Sequence, residues 1–176
     1  MDFFNQTGKL AIGSRLRMLT DKITVDAAAI YKMFGVDLKP KWFPVFFVLS
    51  RGEAKTITSI AKEIGHSHPS VSNIIKEMVA KGLVKETKDK SDGRRNMVML
   101  SAKGKRMSDS FSEQCIDVTA AIEQITQQTR NDLWEAIEEW ENLLLDKSLL
   151  ERVKEAKKER ESKDIKIVPY EPCYQS

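Results

Sequence analysis

Chemistry-bearing side chains are scarce in this chain of 176 residues. Its two histidines, His66 and His68, stand an i, i+2 step apart with no Cys, Asp or Glu at ligand spacing. That pattern disfavours zinc and points to a capping or phosphate-contacting role. The two cysteines, Cys115 and Cys173, lie in different segments, and neither has a Cys-x-x-Cys partner. Reduced thiols are expected, with a redox-sensing thiol as the alternative. A Gly-rich phosphate loop and a nucleophile elbow are both missing, and acid pairs such as Glu138 and Glu139 read as the outer face of a helix. The sequence therefore offers no catalytic residue, no metal ligand set and no cofactor, and an enzyme is not expected. Nor does any apolar run approach the roughly 18 residues of a membrane span. The N-terminus, MDFFNQTGKLAIGSRL, lacks the basic start, apolar middle and small-residue cleavage site of a signal peptide. A cytoplasmic location without membrane partners is the expectation.

What is present is ordinary for a soluble, helix-rich domain: 41% hydrophobic and 31% charged residues, enough for one sizeable core. The net charge of +3 says little by itself, but its distribution is uneven. Lys55 to Arg106 holds twelve Lys and Arg against five Asp and Glu, a local excess of +7 that leaves the remainder at −4. A basic module on an acidic support is the footprint of a phosphate-binding surface.

Within that module, Thr56 to Gly104 reads as two short amphipathic helices followed by two strands. Ile57, Ile60, Ala61 and Ile64 recur at helical spacing, with Thr58 or Thr56 as the cap and Gly65 as the stop. The second helix starts at His68-Pro69, where proline gives up an amide that had no partner, with Ser67 or His68 as its cap. Val71, Ile74, Ile75, Met78 and Val79 form its apolar stripe, and Gly82 ends it. Ser70, Ser72, Asn73, Lys76, Glu77 and Lys81 are left on or beside the exposed face. Small hydroxyls, an amide and lysines suit a major groove, though a plain solvated face has the same composition. Leu83–Thr87 and Met97–Leu100 then have strand chemistry around a charged tip with two adjacent arginines, Arg94 and Arg95. Guanidinium groups suit phosphate and the narrow minor groove. The fold class is mainly α with a small β-hairpin wing (α+β), a winged helix-turn-helix.

Gly82-Leu83-Val84, then Asp89, Asp92-Gly93-Arg94-Arg95 and Leu100-Ser101-Ala102-Lys103-Gly104-Lys105, resemble the wing signature of the multiple antibiotic resistance regulator (MarR) family of bacterial transcription regulators. Gly65 to Ser72 is similar to the start of that family's recognition helix, and the resemblance runs from about Leu10 to Leu150. It implies a homodimer on a pseudo-palindromic double-stranded DNA operator. Asp92 would brace the wing and Arg94 enter the minor groove. Ser70, Ser72, Asn73 and Lys76 would face the major groove, with Ser67 and His68 at the helix entry and Lys88, Lys90 and Arg95 on phosphates. Two positions depart from the pattern: Glu86 and Asn73 stand where many members carry arginine, which bears on the strength and sequence preference of binding.

The flanks read as dimerisation helices over about 8–34 and 102–160, around a DNA-binding core of about 40–104. Ile12, Leu16, Leu19, Ile23, Ala27 and Ile30 give the first helix a buried stripe, and Gly35 breaks it. A second helix, about Pro40 to Arg51, is apolar on nearly every side and should be central. Tyr31, Trp42, Phe43 and Phe46 there are either core or, as the family's ligand binding implies, a pocket for a small aromatic or acidic molecule. Met107, Phe111, Cys115, Val118, Ile122 and Ile125 make one continuous stripe. Thr129 opens a further helix with Asp132 as its capping-box acid, and Leu133, Ile137, Trp140 and Leu144 form its stripe. This apolar surplus favours a two-fold dimer over a monomeric helical core. Residues 151–163 can continue that helix as a charged spacer. Domain 1–164 then gives way to a tail, 165–176, whose alternation resembles the opening strand of a GNAT-type N-acetyltransferase; a disordered or docked tail is the alternative. If the former holds, the chain is the regulatory half of a longer protein whose acetyl-coenzyme A site lies elsewhere. An adaptor that binds protein through the winged helix is a third reading, disfavoured by the clustered positive charge.

Overall fold

A computed structural model describes residues 3–88 and 96–163. In chain order these form α1 (Phe3–Thr7), a 3-10 turn at Gly8–Ala11, α2 (Ile12–Met33), a 3-10 turn at Pro40–Trp42, α3 (Phe43–Ser50) and β1 (Lys55–Thr56). There follow α4 (Ile57–Glu63), α5 (His68–Ala80), β2 (Val84–Lys88), β3 (Asn96–Leu100), α6 (Ala102–Gln128), α7 (Leu133–Asp146) and α8 (Leu149–Ser162). No helix among the described residues is long and apolar enough to cross a membrane. The chain divides into two compact units, Met18–Val118 and the combination of Met1–Arg17 with Thr119–Ser176.

The core of Met18–Val118 is built on α3. Val45, Phe46, Val48 and Leu49 are buried there, against Ile60 and Ala61 of α4, Val71, Ile75 and Met78 of α5, and Phe111 of α6. The expectation that α3 is apolar all round and central holds for those four residues. Phe43 and Phe47, by contrast, remain nearly two-fifths exposed, and Phe111 lies 5.9 and 6.5 Å from their ring centroids.

Helix ends follow the chemistry of their residues. Of the two possible caps for α4, Thr56 is the one used, its hydroxyl accepting from the Ser59 amide at 3.1 Å. For α5 it is Ser67, which accepts from the Ser70 amide at 3.4 Å. Helix α5 closes on Gly82 at φ +70°, where the Gly82 amide donates to Val79 O (2.8 Å) and the Leu83 amide to Met78 O (3.0 Å). This paired closure needs a left-handed residue and an apolar contact across it. Gly82 supplies the first, and buried Leu83 and Met78 the second.

The wing is a three-stranded antiparallel sheet of order β1-β3-β2. Strand β2 runs one residue further toward the tip than its pattern predicts and begins at Val84, leaving Leu83 as a buried residue before it. Its register closes from Val84↔Leu100 to Lys88↔Asn96. Strand β1, which pairs Lys55↔Val98 and Thr56↔Met97, is too short to show a period in the sequence. Ser101 locks the foot of the wing: its hydroxyl donates to Gly82 O (2.5 Å) and accepts from the Gly104 amide (3.1 Å).

Several expectations are corrected. Within the single chain Ile12, Leu16, Leu19 and Ile23 are exposed rather than buried, and Ala27, Ile30 and Tyr31 toward the end of α2 turn inward. The α6 stripe is likewise not uniform: Phe111 is buried, Met107, Cys115 and Val118 are half-buried, and Ile122 and Ile125 are exposed. Gln114, which no apolar pattern includes, is buried beside them. Val79 is exposed, because three-and-four spacing leaves it at the edge of the α5 stripe.

In the other unit, α7 starts at Leu133 rather than Thr129. Asp132 is itself the cap, accepting from the amides of Trp134 (2.8 Å) and Glu135 (3.1 Å). Residues 151–163 do not continue α7. The chain turns at Lys147 and Ser148, where Ser148 and Glu151 form a reciprocal capping box that starts α8. Arg152 reaches back to donate to Leu143 O (2.8 Å) and Lys147 O (3.0 Å), supplying partners to carbonyls at the end of α7. Leu133, Trp134, Ile137, Trp140, Leu143 and Leu144 are all exposed along α7. The tail, 165–176, expected to resemble the opening strand of an acetyltransferase, lies outside the described residues.

Candidate nucleic-acid interface

Helix α5 presents its polar face because four buried residues, Val71, Ile74, Ile75 and Met78, hold the opposite side. Asn73 and Lys76 are exposed on the outward side, whereas Ser70 and Ser72 flank it and are half-buried. The central positions are thus an amide and an ammonium, with hydroxyls to either side. Lys76 has no ion pair among the described residues, and neither do Lys62, Lys81, Lys85 and Lys88. Other cations are committed: Lys55 and Arg51 pair with Glu63 at 2.9 and 3.7 Å, and Lys103 pairs with Asp37 at 3.5 Å.

The entry of α5 lies beside the wing. An open groove there is lined by Thr56, Ile57, Thr58, His68 and Asn96. It joins the starts of α4 and α5 to the first residue of β3. Ser67 and His68 are exposed at this entry, and the His66 ring Nδ1 lies 2.8 Å from Ile64 O. A helix N-terminus with unsatisfied amides favours phosphate, so the groove adds backbone donors to the side-chain surface of α5. Lys88 is exposed at the end of β2, on the strand leading to the wing tip. Lys90, Asp92, Arg94 and Arg95 lie outside the described residues. Among the described residues no cluster of three His, Cys, Asp or Glu could hold a metal.

Glu77 behaves differently from a groove-facing residue. Its carboxylate accepts from Lys41 Nζ (2.6 Å), from the indole N–H of Trp42 (2.9 Å) and from Lys39 Nζ (3.5 Å). The Lys41 hydrogen bond, then that of Trp42, holds its pKa down at about 2. The sequence pattern places Glu77 only on or beside the exposed face. The usable signal was Trp42: an indole N–H in a segment otherwise apolar needs an acceptor when buried.

The four residues expected at a ligand pocket do not share one environment. Tyr31, Trp42 and Phe46 are buried in the core, and Phe46 meets Phe111 edge-on at 4.8 Å, while Phe43 is partly exposed. Tyr31 lines an open groove with Ala28, Lys32, Gly35, Val36, Asp37 and Leu38. Burial pushes its phenol up to about 12, with the nearby Cys115 adding to the rise and a hydrogen bond with Gln114 opposing it.

The sequence pattern of the MarR family matches residues 36–95, which span the segment from the end of α2 through α5 to the wing. No curated protein matches the chain. Solved structures of similar fold include the transcriptional repressor CouR bound to a 23-mer DNA duplex, at 20% identity and TM-score 0.59 over 79% of this chain and 96% of that one. The PcaV regulator from Streptomyces coelicolor in complex with its natural ligand is 13% identical, with TM-score 0.57 over 77% of this chain and 92% of that one. The heme sensor PefR from Streptococcus agalactiae in complex with heme is 16% identical, with TM-score 0.56 over 78% and 95% of the two chains. At these identities the likeness is one of fold, and the MarR family pattern over residues 36–95 is a similarity confined to that segment.

Proposed function

We propose that this chain is a cytoplasmic, homodimeric transcription regulator that binds double-stranded DNA through its winged helix. The observation that carries the reading is the outward face of α5, where Asn73 and Lys76 stand exposed between half-buried Ser70 and Ser72, beside a groove at the helix entry. Asn and Lys are groups that read base edges and phosphates in a major groove. The family match and the DNA-bound repressor of similar fold support it. Arg94 takes the adjacent minor groove, braced by Asp92, and Lys88, Lys90 and Arg95 contact phosphates. Modulation by a small aromatic or acidic ligand completes the proposal. With Trp42 and Phe46 closed off in the core, its entry is the groove beside Tyr31.

Selection from random duplexes at several salt concentrations tests the DNA reading. Bound sequences should contain two half-sites about 34–36 Å apart or a multiple of it. Arg94→Ala should cost about 1–3 kcal/mol and relax the preference for A·T-rich flanks. Lys88→Ala should weaken all duplexes alike and reduce the salt slope by about one counterion. Failure to retain any duplex at low salt overturns the proposal; an Arg94→Ala variant with unchanged affinity and flank preference removes the wing from it.

A further inference from the structure

The polar contacts of Glu77 join the recognition helix to one short segment, and they do so at a place where apolar packing leaves a degree of freedom. The stripe of Val71, Ile74, Ile75 and Met78 fixes how deeply α5 sits, but apolar contact is non-directional and sets the roll of a helix only loosely. Hydrogen bonds are directional. Both carboxylate oxygens of Glu77 are used, Oε1 by Lys41 and Oε2 by Trp42 and Lys39, so three donors from residues 39–42 converge on one side of α5. The central donor cannot move away: Trp42 is buried to 1% exposure, and Lys39 Nζ sits 5.0 Å above its ring. Lys39 and Lys41 are themselves exposed, so their ion pairs add little alone. The indole bond supplies the fixed geometry. Asn73 lies one helical turn before Glu77, and Lys76 directly precedes it.

We propose that Glu77 is the positioning residue of the recognition helix, clamping α5 to Trp42 and Lys41 so that Asn73 and Lys76 meet base edges at one fixed roll. This rests on the DNA-binding reading above. The tolerance is narrow: a roll of about 20° carries a group roughly 6 Å from the helix axis through about 2 Å, more than a base-edge hydrogen bond absorbs. Phosphate contacts through long lysines tolerate such a shift far better, because their attraction is electrostatic and sequence-independent. Loss of the clamp should therefore separate specific from non-specific binding.

The test compares the parent with Glu77→Ala, Glu77→Gln and Trp42→Phe, using a duplex selected from a random pool and poly(dI-dC) as the non-specific probe. Glu77→Ala should lose at least tenfold in affinity for the selected duplex while affinity for poly(dI-dC) is unchanged or higher, since an acid is removed and two lysines released. Glu77→Gln retains one amide oxygen for the indole and should recover part of the specific-to-non-specific ratio. Trp42→Phe should reproduce the Glu77→Ala loss, and the double variant should be no worse than either. Equal losses on both probes would make Glu77 merely structural, and an unchanged ratio would overturn the proposal. Backbone amide shifts of α5 give a readout that needs no DNA. In Glu77→Ala they should move along the whole helix; if they change only beside residue 77, there is no clamp, whatever the duplexes show. A parent that binds neither probe sinks the DNA reading alone, and the amide shifts then decide the clamp.

Discussion

Gly104 shows how much one missing side chain can decide. It is buried at the start of α6, and a Cβ there would run into the Leu83 carbonyl oxygen and crowd the side chain of Leu100. That carbonyl cannot easily retreat, because it accepts from the Ser101 amide at 2.9 Å. Gly104→Ala should lower unfolding stability by about 1–3 kcal/mol, as overpacking of a tight site does, measured by denaturant titration. An unchanged midpoint would mean the wing foot can open without cost. Glu77 gives a second prediction at this scale, in pH. Its carboxyl is held at about 2 against an ordinary 4.5, so the folded state binds its proton less readily than the unfolded chain. The stabilising contribution is then complete above about pH 4.5 and disappears as the pH falls toward 2. Glu77→Gln should flatten the loss of stability across that window relative to the parent; parallel curves would show that the Lys41 and Trp42 bonds do not persist in solution.

Among the elements, those written by local chemistry were legible and those created by contact between distant segments were not. Helices α4 and α5 could be read from apolar spacing, Thr56, Ser67-His68-Pro69 and two glycines, because caps and stops act within a few residues. The hairpin of β2 and β3 was legible for the same reason. Strand β1 was not: two residues carry no period, and Lys55–Thr56 becomes a strand only because β3 offers an edge to it. The break between α7 and α8 has a local mark in the capping-box spacing of Ser148 and Glu151, but the surrounding charges suit a continuous helix equally well. Asp132 reads by its spacing from Thr129 as a capping-box acid, whereas it is the cap itself. Among the interface residues, α5's outward position was readable for Asn73 and Lys76, but the clamp on Glu77 depends on a tryptophan 35 residues away and has no local signature. Asp132→Ala should reduce stability by about 1 kcal/mol, the usual cost of removing an N-cap acceptor. Asp132→Asn should restore most of it, since the amide oxygen can accept from the same amides; equal losses would point to charge rather than capping.

For the whole molecule, the decisive fact is where apolar surface remains. Ile12, Leu16, Leu19 and Ile23 on α2 are exposed, as are Leu133, Ile137, Trp140 and Leu144 on α7, each set at spacings of three and four. Helical stripes that repeat so regularly are built to be covered, and a monomer rarely leaves an unbroken apolar stripe along a helix in water. A second copy is the economical cover, because a two-fold axis buries the same patch twice and also pairs two recognition helices for a palindromic site. Sedimentation at micromolar protein should give a mass near twice the 20.1 kDa chain. Trp140, a little over half exposed in the single chain, tests the face directly. If it is buried between copies, Trp140→Ala should cost on the order of 3 kcal/mol, which weakens dimerisation by roughly two powers of ten. Binding to a two-half-site duplex should fall with it, while the helical circular dichroism of the variant stays near that of the parent. A parent that sediments as a monomer, or a Trp140→Ala variant that dimerises as tightly as the parent, would move the interface off α7 and leave its apolar face unexplained.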